Sequence, residues 1–143
     1  MLKFLVPVDG SPSSNHTVDH VLKRLGWCKE GVEVHLLNVQ RPVPGGSAVA
    51  SHIGQEALRQ YHHDEGMKAL EPSMKKLEAA GIHYVHHISV GEPAEVIIQF
   101  AKQMEPDEII MGTRGLGAPA SLLLGSVASK VIQLADRPVL LVK

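Results

Sequence analysis

The chain reads as short apolar, β-rich runs separated by stretches in which apolar residues return every three or four positions. Residues 2–8 form the first run. Val18, Val21, Leu22 and Leu25 then fall at helical spacing, with Ser13 or Ser14 available as a cap and Gly26 near the exit. A second run, residues 32–39, carries Val34, Leu36, Leu37 and Val39. Residues 40–54 hold Pro42, Pro44, Gly45, Gly46 and several small side chains, and read as a mobile loop. From about residue 55 to residue 80 the helical period returns, with Met67, Leu70, Met74 and Leu77 on one side. Pro72 has no N–H for the helical ladder and crowds the preceding turn, which predicts a kink or break there. Gly81 is placed to stop this helix.

Residues 82–90 form a third run whose His83, His86 and His87 dilute its apolar content and suggest an edge strand. Gly91-Glu92-Pro93 opens a further helix, Pro93 suiting its first turn and Ala94, Ile97, Ile98 and Ala101 its buried face. Residues 108–111 and 139–142 are the fourth and fifth runs. Between them a final helix starts near Ser126 with Val127, Val131 and Leu134 inward. This rhythm predicts an α/β fold, a parallel sheet covered by helices on both faces. Right-handed crossovers bring Asp9-Gly10, residues 39–44 and Gly112 onward to one rim. A topological switch between the first and fourth strands would open a crevice beside those loops.

Composition narrows the function classes. A length of 143 residues fits one domain, residues 1–143, and the apolar and charged fractions of 44% and 20% are those of a soluble globular protein. A formal charge of −1 argues against nucleic acid and gives no attraction to membranes. Cys28 is the lone cysteine, so there is no internal disulfide and no thiolate cluster; it reads as a partly buried helix-end residue. No apolar stretch approaches 18 residues, and the first ten residues resemble neither a signal nor a transit peptide, so a cytoplasmic location is expected.

The chemistry concentrates in Gly112-Thr-Arg-Gly115, nine residues, then Gly125-Ser126. Glycines allow unusual backbone conformations and close approach of a phosphate. Ser126 can donate a hydroxyl hydrogen bond, and the helix starting there offers unpaired N–H groups and a dipole that favours an anion. Arg114 is a candidate charged contact. A plain glycine-rich strand-to-helix turn explains the spacing equally well. The phosphate-loop pattern GxxxxGK[ST] is missing, and Gly115-Leu-Gly117 lacks the third glycine of the dinucleotide fingerprint.

Taken together, Val6-Pro7-Val8-Asp9-Gly10-Ser11, Leu37-Asn38-Val39, Gly91-Glu92-Pro93 and the segment MGTRG…LLLGSVASKV…PVLLV resemble the universal stress protein family across residues 2–143. The last segment matches the pattern G-2x-G-9x-G-[S/T] of the family's ATP-binding subgroup. The resemblance implies a three-layer sandwich with a five-stranded parallel sheet in order 3-2-1-4-5, and an adenine nucleotide, ATP, in the rim crevice. It places Asp9 near adenine and ribose, Val39 at the adenine edge, and Gly112 and Gly115 on the ribose-phosphate side. Gly125 and Ser126 fall at the phosphate end, with a backbone N–H from Val127. Pro7, Val8, Met111 and Arg114 complete the expected nucleotide-binding set. Ala118-Pro119 departs from the family's usual span, and Pro119 brings no donor to it.

An obvious nucleophile–base pair is lacking. Asp9 could hold Mg2+ but reads better as nucleotide recognition or an Asp turn; Ser11 can cap the following helix, and Glu92 suits a helix first turn. A binding or regulatory module is therefore preferred, with slow ATP hydrolysis, or a non-nucleotide interaction or chaperone-like protein, as alternatives. No catalytic residue and no metal ligand is assigned. Of the nine histidines, His62 and His63 point about 100° apart on a helix, unlike an HExxH pair. His83 and His87 share a strand face and reach His35 only if register permits; surface roles are preferred to metal binding. The last strand would leave an apolar unpaired edge, so a homodimer through residues 138–142 is expected, as the resemblance also implies. No motif identifies a downstream partner.

Overall fold

The computed structural model describes residues 1–116, 119, 121 and 123–143. Its elements run β1 (Leu2–Pro7), α1 (Pro12–Leu25), β2 (Val32–Gln40), α2 (Gly46–Ile53), α3 (Gln55–Ala79), β3 (Tyr84–Val90), α4 (Pro93–Met104), β4 (Glu108–Gly112), α5 (Ser126–Leu134) and β5 (Val139–Val142). The five strands form one parallel sheet in the order β3-β2-β1-β4-β5, as the resemblance implies. Among the described residues no helix is long and apolar enough to cross a membrane.

Strand periodicity divides the core in two. Phe4, Val6, Val34, Leu36 and Ile110 face Val18, Val21, Leu70 and Leu77 from α1 and α3. Leu5, Leu37, Ile109 and Met111 face Ala94, Ile97, Ala101, Ala128 and Val131 from α4 and α5. The central strands thus bury apolar residues on both faces, which is why Phe4-Leu5-Val6, Leu36-Leu37 and Ile109-Ile110-Met111 read as apolar runs. Each fully buried Leu, Ile or Val contributes about 1.5–3 kcal/mol relative to exposure.

The α1 cap is Ser11, whose Oγ accepts from the Ser14 N–H at 3.2 Å, rather than Ser13 or Ser14. The Ser14 hydroxyl instead donates to the Ser11 carbonyl within the same turn. Residues 46–53 of the expected loop form α2; none of its residues is buried, so it carries no amphipathic signature. Pro72 does not break α3, because Leu70 and Leu77 on either side of it are both anchored in the same core. Gly81 takes a left-handed φ of +71° just past the helix end. Leu134 is 48% exposed, since α5 ends there and turns its last residue outward. Glu92 caps α4 from outside its first turn, and its carboxylate pairs with Arg41 at 3.0 Å.

Candidate functional site

The switch in strand order lies between β1 and β4, where the chain leaves to opposite sides of the sheet and leaves a crevice. A cleft of about 610 Å³ occupies this position. It collects all eleven residues of the expected nucleotide-binding set: Pro7, Val8 and Asp9 from the β1 exit, Val39 from β2, Met111, Gly112, Arg114 and Gly115 from the β4 exit, and Gly125, Ser126 and Val127 at the start of α5. The volume falls within the range of small-molecule sites. Gly117 and Ala118, singled out in the sequence, lie outside the described residues; Pro119 lines the cleft.

The motif glycines act through space rather than through unusual dihedrals. Gly112, Gly115 and Gly125 are absent from the positive-φ positions, which fall at Gly10, Gly45, Gly54, Gly81, Gly91 and Glu105 among the described residues. A Cβ on Gly115 would collide with the Asp9 carboxylate, and one on Gly112 would meet Ser13 Oγ at 2.5 Å. A Cβ on Gly125 would press on the Thr113 carbonyl oxygen at 3.2 Å. Each glycine therefore marks a place where the loop is drawn tight against another element.

Asp9 holds this arrangement together. Its Oδ1 accepts from the Ser11 N–H at 2.9 Å and its Oδ2 from the Leu116 N–H at 3.0 Å. The carboxylate thus ties the β1 exit to the glycine loop, a positioning role beside any contact with a ligand. The Gly125 N–H donates to the Thr113 carbonyl at 2.6 Å and the Thr113 N–H to the Val142 carbonyl at 3.2 Å, which anchors the far end of the loop to β5. The N-cap residue of α5, Gly125, has no side chain to cap it, and no acidic residue stands in the helix's first turn. Ser126, Val127 and Ala128, at that helix start, line the cleft, so first-turn N–H groups and the positive end of the helix dipole face it.

The opposite end is apolar: Pro7, Leu37, Val39, Ile97 and Met111. Asn38 was not singled out as a site residue. It is 2% exposed; its Nδ2 donates to the Val8 carbonyl at 2.8 Å and its Oδ1 accepts from Gln40 Nε2 at 2.7 Å. It locks the two strand exits side by side, and an amide inside the apolar run Leu36-Leu37-Asn38-Val39 was its signal. Thr113, 8% exposed, is a further lining residue outside the expected set.

The histidines lie away from this cleft. Register places Leu37 opposite His87, and His35 Nδ1 and His87 Nε2 meet at 2.9 Å with stacked rings, so the cross-strand contact forms. His35 Nε2 also pairs with Glu33 at 2.6 Å. Burial, reinforced by His35 and His86, holds the His87 imidazole below its usual range. Among the described residues no three His, Cys, Asp or Glu side chains come together to hold a metal ion.

Comparison with known proteins agrees with this architecture. The profile of the Universal stress protein family matches residues 1–143. Universal stress protein MJ0531 of Methanocaldococcus jannaschii is 33% identical over 99% of this chain and 81% of its own length. Universal stress protein YxiE of Bacillus subtilis is 32% identical over 99% and 98%. The solved structure of MJ0577 from Methanocaldococcus jannaschii superposes with a TM-score of 0.83 at 32% identity, covering 99% of this chain and 95% of that one. A universal stress protein from Archaeoglobus fulgidus in complex with dAMP shares the fold at TM-score 0.72 and 23% identity, covering 100% and 98%. An Arabidopsis thaliana member with AMP bound does so at 0.71 and 22%, covering 100% and 92%.

Proposed function

The chain belongs to the universal stress protein family, and on that premise we propose that its rim cleft binds an adenine nucleotide, ATP above all. Occupancy of the cleft is then the signal of a nucleotide-dependent regulatory module in the stress response. One observation carries the reading. Gly112 and Gly115 sit where a side chain would strike a neighbour and Gly125 where one would press on the Thr113 carbonyl, and the cleft they form opens onto the start of α5, whose N-cap is a glycine. Backbone N–H donors and a positive dipole suit phosphates, and the apolar end suits a base. The dAMP and AMP held by two relatives of the same fold support the choice of adenine.

In this reading Val39 and Asn38 border the base and Asp9 the sugar, while Ser126 and Val127 receive the phosphates. Ser126 is a phosphate donor, not a nucleophile. Asp9 is the one carboxylate lining the cleft among the described residues, and both its oxygens already accept backbone N–H groups. Mg2+ would therefore rest mainly on phosphate oxygens and water. Binding rather than turnover is the function proposed, in the cytoplasm.

The reading includes a homodimer through residues 138–142. The Pro138 carbonyl accepts from Ile109 in β4 and the Val142 carbonyl from Thr113 just past it, so by strand alternation Val139 and Leu141 direct their backbone groups outward from the sheet edge. A dimer in solution that Leu141→Pro converts to monomer is the expected result, by sedimentation.

Mass spectrometry of small molecules that copurify with the protein, followed by titration with ATP, ADP and AMP in Mg2+, tests the main claim. Retained ATP or micromolar affinity is expected. Failure of all three nucleotides to bind overturns it, and turnover at rates typical of dedicated ATPases would replace the sensor with an enzyme.

A further inference from the structure

A second hollow of about 540 Å³ lies between α2, α3 and β3 and shares no lining residue with the rim cleft. Val43, Leu58, Ile88 and Val90 make its apolar walls. Its charged and titratable lining is Arg59, His62 and His63, with no carboxylate among the described lining residues. His62 is only 7% exposed, and its Nδ1 is sealed from solvent with no hydrogen-bond partner. That nitrogen lies behind the wall, and His62 lines the hollow through its other atoms, beside Arg59 and His63. Among the described residues Arg59 pairs with Glu56 at 3.6 Å, both side chains largely exposed, a pair weak enough to yield to a better-placed anion.

We propose that this hollow binds a small apolar carboxylic acid, its hydrocarbon portion against Leu58, Ile88 and Val90 and its carboxylate toward Arg59 and the histidine pair. The volume suits a ligand of that size. Cationic polar lining without a carboxylate selects an acid over an amine, and the apolar walls select hydrocarbon over sugar or free phosphate. The site stands independently of the nucleotide reading, because the two hollows have separate walls.

Isothermal titration with octanoate, and with octan-1-ol as the uncharged probe, tests this on the intact protein. Saturable 1:1 binding of octanoate is expected, with octanol at least about tenfold weaker. Arg59→Ala should weaken octanoate about tenfold and leave octanol unchanged. Ala50→Trp, which fills the hollow from α2, an element with no buried residue, should abolish binding of both without altering the melting temperature or an ATP titration. Absence of saturable octanoate binding at millimolar concentration overturns the proposal. So does equal affinity for acid and alcohol, or binding that survives Ala50→Trp.

Discussion

The two hollows are neighbours along the chain and opposites in construction. The exit of β2 lines the rim cleft with Val39, Gln40 and Arg41, then the second hollow with Pro42 and Val43. The rim cleft is framed by strand ends that the sheet holds rigid, and its inner polar groups are bonded: Asp9 to two backbone N–H groups, Asn38 to the Val8 carbonyl. The second hollow is walled on one side by α2, none of whose residues is fully buried, and behind its wall His62 Nδ1 is unbonded. A site built on strand ends is preorganised before its ligand arrives, whereas one closed by a largely exposed helix must order that wall on binding.

The sharpest way to break this contrast is at Gly115. Gly115→Val drives a side chain into the Asp9 carboxylate, and nucleotide affinity should fall at least about 100-fold while octanoate titrations stay unchanged. Loss at both hollows would mean that the loop supports the whole molecule rather than one site. Asp9→Ala should cost about tenfold in nucleotide affinity by releasing the Leu116 and Ser11 N–H groups, each bond being worth about 1 kcal/mol net. Amide exchange at Leu116 should quicken in parallel.

His62→Leu probes the other side of the contrast. Removing an unbonded buried nitrogen should raise stability by about 1 kcal/mol in urea melts, with octanoate binding weakened. Destabilisation would show that His62 is satisfied in solution.

Acid should loosen the β3 wall before the rim. His87, on the β3 face opposite Ile88, keeps its imidazole below the ordinary value of 6.5, chiefly through burial. The unfolded chain therefore takes up this proton first. Stability from His87 is complete above about pH 6.5 and is lost as pH falls from there toward the depressed folded value. Urea melts at about pH 7.5 and 5.5 should differ less in His87→Phe than in the natural protein. The smallest effect lies at the start of β3. Burial and the hydrogen bond it donates to Glu78 push the Tyr84 hydroxyl up to about 12. One of the two tyrosines should accordingly ionise late in an ultraviolet titration, and Glu78→Gln should bring it earlier.

Much of this was legible in the chain. The apolar runs at 2–8, 32–39 and 108–111 are strands to within about a residue, because central strands buried on both faces leave largely apolar stretches, and the edge run 139–142 is a strand as well. The glycine spacing marked the rim where the cleft lies; of the two roles it offered, unusual backbone and close approach, the packed partners favour close approach. The α2 helix was not legible, since Gly-Ser-Ala-Val-Ala-Ser carries no periodic face to bury. Pro72 misled in the other direction, because the local penalty of one missing N–H is outweighed by the burial of Leu70 and Leu77.

By itself, then, the sequence determined the strand and helix series, the loops that gather at one rim and the family to which the chain belongs, since periodicity, turn residues and motif spacing are local properties. Tertiary structure alone decided what touches across that distance. Asp9 meets Leu116 although 107 positions separate them, His35 meets His87 across 52, and α3 closes a hollow against β3 around an unbonded His62. Such contacts depend on register and packing angle, which sum small terms over the entire chain and leave no mark in any one segment of it.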